Sequence, residues 1–142
     1  MRHRAPTERG SASLETLFVV GFLLIPLAAL LAQMPQWVGT SHATQIAANE
    51  AARAVALADT LTQGQTDAER VALSVITNHG HDPTDLQAVT IAGNFTRGGT
   101  VTVTVSLAGD PAVVPGFGSM GPVFTATRAA SERIDDYRSF RP

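Results

Sequence analysis

The sequence predicts an α+β fold: a long N-terminal helix packed on a small antiparallel sheet of about three strands, with one additional short helix. Three observations carry this. Residues 16–49 contain no Asp, Glu, Arg or Lys, and their first part is almost wholly apolar. Residues 42–61 place small apolar side chains at helical spacing. Residues 100–107, Thr-Val-Thr-Val-Thr-Val-Ser-Leu, alternate every second position, as a strand with one buried face does.

Taken in order, residues 1–10 read as a polar, Gly/Pro-containing cytoplasmic leader. A helix is expected from Ser11–Ser13, where small hydroxyl side chains can cap it. The apolar run from Thr16 to Met34 would span roughly 28 Å as a helix, close to one hydrocarbon core. Residues 11–34 are therefore predicted to form a transmembrane helix. A buried helix of a soluble domain fits poorly, because little other apolar mass is available to surround it. Pro26 lies inside the span and is expected to kink it. Trp37, the single Trp, follows Pro35 and suits the outer membrane interface; packing inside the exported domain is the alternative for it.

Charge sets the orientation. Arg2, Arg4 and Arg9 precede the span against Glu8 alone, and the next charged residues are Glu50 and Arg53. Positive charge stays cytoplasmic, so the N-terminus is expected inside and residues 35–142 outside. The hydrophobic run is long for an ordinary cleaved signal, and Gly39-Thr40-Ser41 is a poor cleavage site.

Beyond the membrane, Ala43, Ile46, Ala47, Ala51, Ala54, Leu57, Ala58 and Leu61 form an Ala-rich stripe predicted to continue the same helix. Gly64 is expected to end it. Thr66-Asp67-Ala68-Glu69 reads as a capping box opening a short helix, with Ala68, Val71, Ala72, Val75 and Ile76 on its apolar face. That helix should end before His79-Gly80, and residues 82–85 should turn. Strands are expected at 86–92, 100–107 and 123–130. The Gly/Pro-rich segment 108–122 follows neither period and is expected as an irregular loop. Residues 132–138 are charged, and Tyr137 is expected against the sheet.

Composition narrows function. The 142 residues fit one compact unit. There are 10 basic residues, all Arg, 12 acidic residues and no Cys. Disulfides, thiol catalysis and Cys-ligated metals are excluded. The net charge of −2 with scattered Arg offers no basic face for nucleic acid. No nucleophile elbow or phosphate-binding loop is present, so the chain is not expected to be an enzyme or to carry a cofactor. His79-Gly80-His81-Asp82 is a dense donor cluster, but a third metal ligand would have to come from afar; a polar turn is the preferred reading, and no metal is expected.

Glu15 stands at the cytoplasmic mouth of the apolar run. A carboxylate entering lipid is costly without a partner, although a helix N-terminus in the headgroups would also favour it. Its surroundings decide between these. Arg9-Gly10-Ser11-Ala12-Ser13-Leu14-Glu15, followed by the apolar run, resembles the processing site and N-terminal helix of type IV pilins and pseudopilins. Arg9-Gly10, Glu15, the internal Pro26 and the segment Ala47-Ala48-Asn49-Glu50-Ala51-Ala52-Arg53-Ala54 resemble more narrowly the TadE/TadG-like minor pilins of tight-adherence (Flp-type) pilus systems. A Thr/Val-rich strand, here residues 101–105, also fits. The likeness covers residues 9–58 well and the remainder loosely. Thr16 stands where the family often has Phe, and the outer domain lacks the cysteines many members carry.

The resemblance implies a type IV pilin-like fold. It also implies cleavage after Gly10 by a prepilin peptidase, a new N-terminus at Ser11, and Glu15 as an assembly residue. The implied partners are that peptidase, other pilins or pilus assembly proteins meeting the N-terminal helix, and membrane lipid. The implied location is the cell membrane, with possible passage into a surface pilus. A single-pass anchored binding module without a pilus role is the alternative.

Overall fold

The computed structural model describes residues 9–137 except 117 and 123; for residues 9–14 and 120 it describes the backbone alone. Most of the expected leader, the first residue of the expected third strand and Arg138 fall outside the described residues.

The N-terminal element is one continuous helix, α1 (Arg9–Leu57), of 49 residues. At 1.5 Å per residue it is roughly 74 Å long. Within the described residues it already runs two residues before the expected capping serines. Pro26 and Pro35 both lie within it, so neither interrupts the element.

Its two halves live in different surroundings. In the first, Phe18 is 77% and Phe22 72% exposed, and Leu23, Ile25 and Leu31 are also open. In the second, Ala43, Ala47, Ala48, Ala51 and Val55 are fully buried. The buried stripe is broader than predicted and rotated: Ile46 and Leu57 are exposed, while Ala48, Ala52 and Ala56 are inside. The reason is that α1 is covered on two sides, by a second helix and by the sheet. A flat Ala surface admits both at close range.

The second helix, α2 (Leu61–Asn78), is longer than expected and starts earlier. Thr60 is its N-cap, the Thr60 hydroxyl accepting the Gln63 N–H at 3.2 Å. The chain therefore breaks at residues 58–60, not at Gly64. Thr66 opens no capping box; its hydroxyl donates to the Thr62 carbonyl inside the helix. Gly64 is buried in α2, and a Cβ there would lie 3.3 Å from both Ala58 Cβ and Val55 Cγ1. It is a close-approach glycine where the two helices meet. The predicted apolar face holds: Ala68, Ala72 and Ile76 are buried, with Val71 and Val75 half-buried.

Helix α2 ends as predicted, before His79. Gly80 takes φ +86°, the His81 N–H bonds the Ile76 carbonyl and the Gly80 N–H that of Thr77. This is the Schellman pattern. A 3-10 turn (Pro83–Asp85) follows, closed by a capping box between Asp82 and Asp85. The Thr84 hydroxyl and backbone N–H hold the Asp82 carboxyl below the usual carboxylate range.

Three strands, β1 (Leu86–Gly93), β2 (Thr100–Ala108) and β5 (Thr125–Arg133), form an antiparallel sheet in the order β1-β2-β5. Val101, Val103, Val105 and Leu107 are buried against the helices. On the outer face, Thr102 pairs with Ser131 at 2.8 Å and Ser106 with Thr127 at 3.1 Å. The third strand runs three residues further than expected. Ile134 closes the core beyond it, whereas Tyr137 is 96% exposed and does not pack on the sheet.

The segment expected as an irregular loop contains a hairpin, β3 (Pro111–Val114) and β4 (Gly118–Pro122). Val113 pairs with Ser119 and Val114 with Gly118. Two positive-φ glycines, Gly116 and Gly118, turn it. Its register shifts between Pro111 and Val113, which hides it from a period-2 reading.

Candidate functional site

The features that point to function lie along the bare half of α1. At its start, Arg9, Gly10 and Ser11 are already helical. The bond expected to be cut thus lies in the first described turn of α1, where a glycine weakens the helix. Glu15 follows and is exposed. Among the described residues it forms no ion pair. A carboxylate four residues from Ser11 lies one helical turn along, roughly 6 Å up the axis.

From Glu15 onward α1 is, among the described residues, the one helix long and apolar enough to cross a membrane. Among the described residues, none of its most apolar stretch is buried. Pro26 is half-buried within that stretch. At Gly21 an added Cβ would meet nothing within 4 Å, leaving a shallow surface that a second helix could approach.

At the far end the head domain begins. Gln33 clasps the hairpin: its Nε2 donates to the Val113 carbonyl at 2.9 Å, and its Oε1 accepts the Val113 N–H at 2.7 Å. Nε2 also donates to the Ala29 carbonyl. One turn on, half-buried Trp37 packs edge-to-face on Phe124 at 6.0 Å. Trp37 therefore packs inside the head, against Phe124, and still stands where the bare helix ends. Arg128 of β5 donates to the Ser41 hydroxyl. Thr40 and Thr44, both buried, return their hydroxyls to carbonyls four residues back, so α1 enters the core with no unpaired hydroxyl. Sequence reasoning missed Gln33. Its signal was a lone amide inside an otherwise apolar run.

A second cluster lies in the head. His81, Asp85 and Asp110 bring ligand atoms within 4.8 Å of one another, each residue half-buried. The His79–His81–Asp82 grouping considered from sequence is not the one assembled; the other ligands come from the 3-10 turn and from the corner between β2 and β3. One imidazole and two carboxylates could hold a divalent cation with positions left for water.

Comparison with protein-family models, with curated proteins and with solved structures gave no match.

Proposed function

We propose that this chain is a minor pilin or pseudopilin of a tight-adherence (Flp-type) pilus or its associated secretion machinery, matured by a prepilin peptidase after Gly10. The observation that carries the reading is the bare apolar half of α1, headed by an exposed Glu15 and tailed by a compact head. The likeness of residues 9–58 to TadE/TadG-like minor pilins gives that arrangement its meaning.

In this reading the basic leader keeps the N-terminus in the cytoplasm, and residues 11–34 form the transmembrane helix. The peptidase captures the segment around Gly10. Cleavage leaves a free amine on Ser11. In an assembling bundle, the Glu15 carboxylate of one subunit neutralises the amine of a neighbour. The low dielectric strengthens that pair while desolvation offsets much of the gain, so its main effect is to fix register. Small residues such as Gly21, Ala28 and Ala29 let neighbouring helices approach. The work is structural, and no catalytic step is assigned.

The test is processing. Gly10→Val should leave the full-length precursor in the membrane when the chain is expressed with a prepilin peptidase. Intact-mass measurement should show the mature form for the parent chain and the precursor for the variant. Normal cleavage of the variant after residue 10 would remove the pilin assignment.

A further inference from the structure

The hairpin β3–β4 has no place in the reading above, and its position on α1 is specific. Residues 111–127 carry no charged side chain and include Val113, Val114, Phe117, Met120, Val123 and Phe124. The base of the hairpin is fixed where the Gly109 N–H bonds the Phe124 carbonyl. That base lies level with Trp37, through the Trp37–Phe124 ring contact. Val113, further along, lies level with Gln33. From base to tip, then, the hairpin runs toward the N-terminus of α1, back along the apolar half.

Two more residues lead from Val113 to Pro115 in the turn. Depending on tilt, they carry the tip roughly 3–7 Å further, to about the level of Ala28–Leu31. The tip therefore stands beside the last turn or two of the apolar run, where every neighbouring helical side chain is suited to lipid. Val113 itself is 57% exposed.

The backbone limits how deep it can go. A two-stranded hairpin has two open edges, and hydrocarbon cannot satisfy their N–H and C=O groups. Gln33 satisfies one residue of the β3 edge, Val113, with both its amide atoms. Any edge group without a partner needs water or headgroups. Uncharged Gly, Pro and aliphatic residues at this level fit the interfacial layer, where apolar side chains bury by about 5–10 Å.

The geometry points to a second membrane contact: the β3–β4 hairpin lies in the headgroup layer of the leaflet from which α1 emerges, and its occupant is the lipid surface. This inference rests on the reading of α1 as a membrane span. The favoured occupant is lipid, not a second copy, because the tip is continuous with the exposed apolar face of the span at the same level. Gln33 is then a clamp that fixes the head on the bilayer at one height.

The chain has no Cys, so single nitroxide labels are straightforward. The full chain would be labelled at Leu23→Cys, Val113→Cys, Pro115→Cys and Thr90→Cys in separate preparations, in vesicles of phosphatidylcholine and phosphatidylglycerol. Collision with oxygen, which partitions into lipid, is compared with collision with a water-soluble nickel chelate. The Leu23 label should show oxygen and little nickel, and the Thr90 label, on the outer sheet face, the reverse. The Val113 and Pro115 labels should lose nickel collisions relative to Thr90 and gain oxygen collisions. Nickel access at both hairpin positions equal to that at Thr90 would overturn the inference while leaving the span intact. Shielding of both from oxygen and nickel alike would also overturn it, in favour of a protein contact. Free nickel access at Leu23 would instead bring down the span reading, and this inference with it.

Discussion

Replacing Gln33 by Leu removes the two hydrogen bonds that hold Val113 to α1, at 2.9 and 2.7 Å, while keeping a good helix former in an apolar run. A net intramolecular hydrogen bond contributes about 0.5–1.5 kcal/mol. Both bonds here are exposed to solvent, so the lower half of the range applies and the pair contributes about 1–2 kcal/mol. That is a factor of roughly 5–30 in an opening equilibrium. The hairpin should therefore open more often, with the sheet and helices unaffected. The assay is hydrogen exchange of the full chain in lipid nanodiscs, read on the peptide that carries Val113. Its amide should exchange faster by about that factor, while the amides of 101–107, paired in the centre of the sheet, keep their protection. Unchanged exchange at Val113 would refute the clamp. Equal acceleration across β2 would show that Gln33 supports the whole head and not the hairpin alone.

Two further expectations concern packing and assembly. Gly64→Leu forces a side chain into the contact with Ala58 and Val55 and should destabilise the head by about 1–3 kcal/mol; a thermal midpoint in detergent equal to the parent's would contradict the close-approach role. Glu15→Ala should leave membrane insertion intact yet reduce recovery of the mature chain in sheared pilus fractions or in crosslinked complexes with other pilins. Parental recovery would defeat the proposed pairing with a neighbour's amine.

The parts legible in the sequence were those whose signal is local. The apolar run needs only composition, and β2 only a period of two. The α2 face and the stop at His79-Gly80 follow from helical spacing and one glycine. What stayed hidden depends on distant partners. Gly64 looks like a terminator until α1 is seen packed against it. The true break, at residues 58–60, holds no Gly or Pro, and its cap is a single Thr60. The β3–β4 hairpin is built from Gly and Pro with an irregular register, so periodicity cannot find it. Gln33 and Val113 are 80 residues apart, and nothing in the spacing of either announces the other. The same holds for Asp110, which reaches His81 and Asp85 only once the β2–β3 corner has formed. The Ala stripe was placed on the right helix but too narrowly, because α2 covers it as well as the sheet.

The central claim is that the bare half of α1 sits in a bilayer, and membrane association of the full chain tests it most directly. The chain expressed in bacterial cells, with membranes washed at alkaline pH and then treated with mild detergent, should stay in the washed pellet and be released by the detergent. Recovery of the full chain in the alkaline supernatant, or as a freely soluble monomer without detergent, would contradict the account.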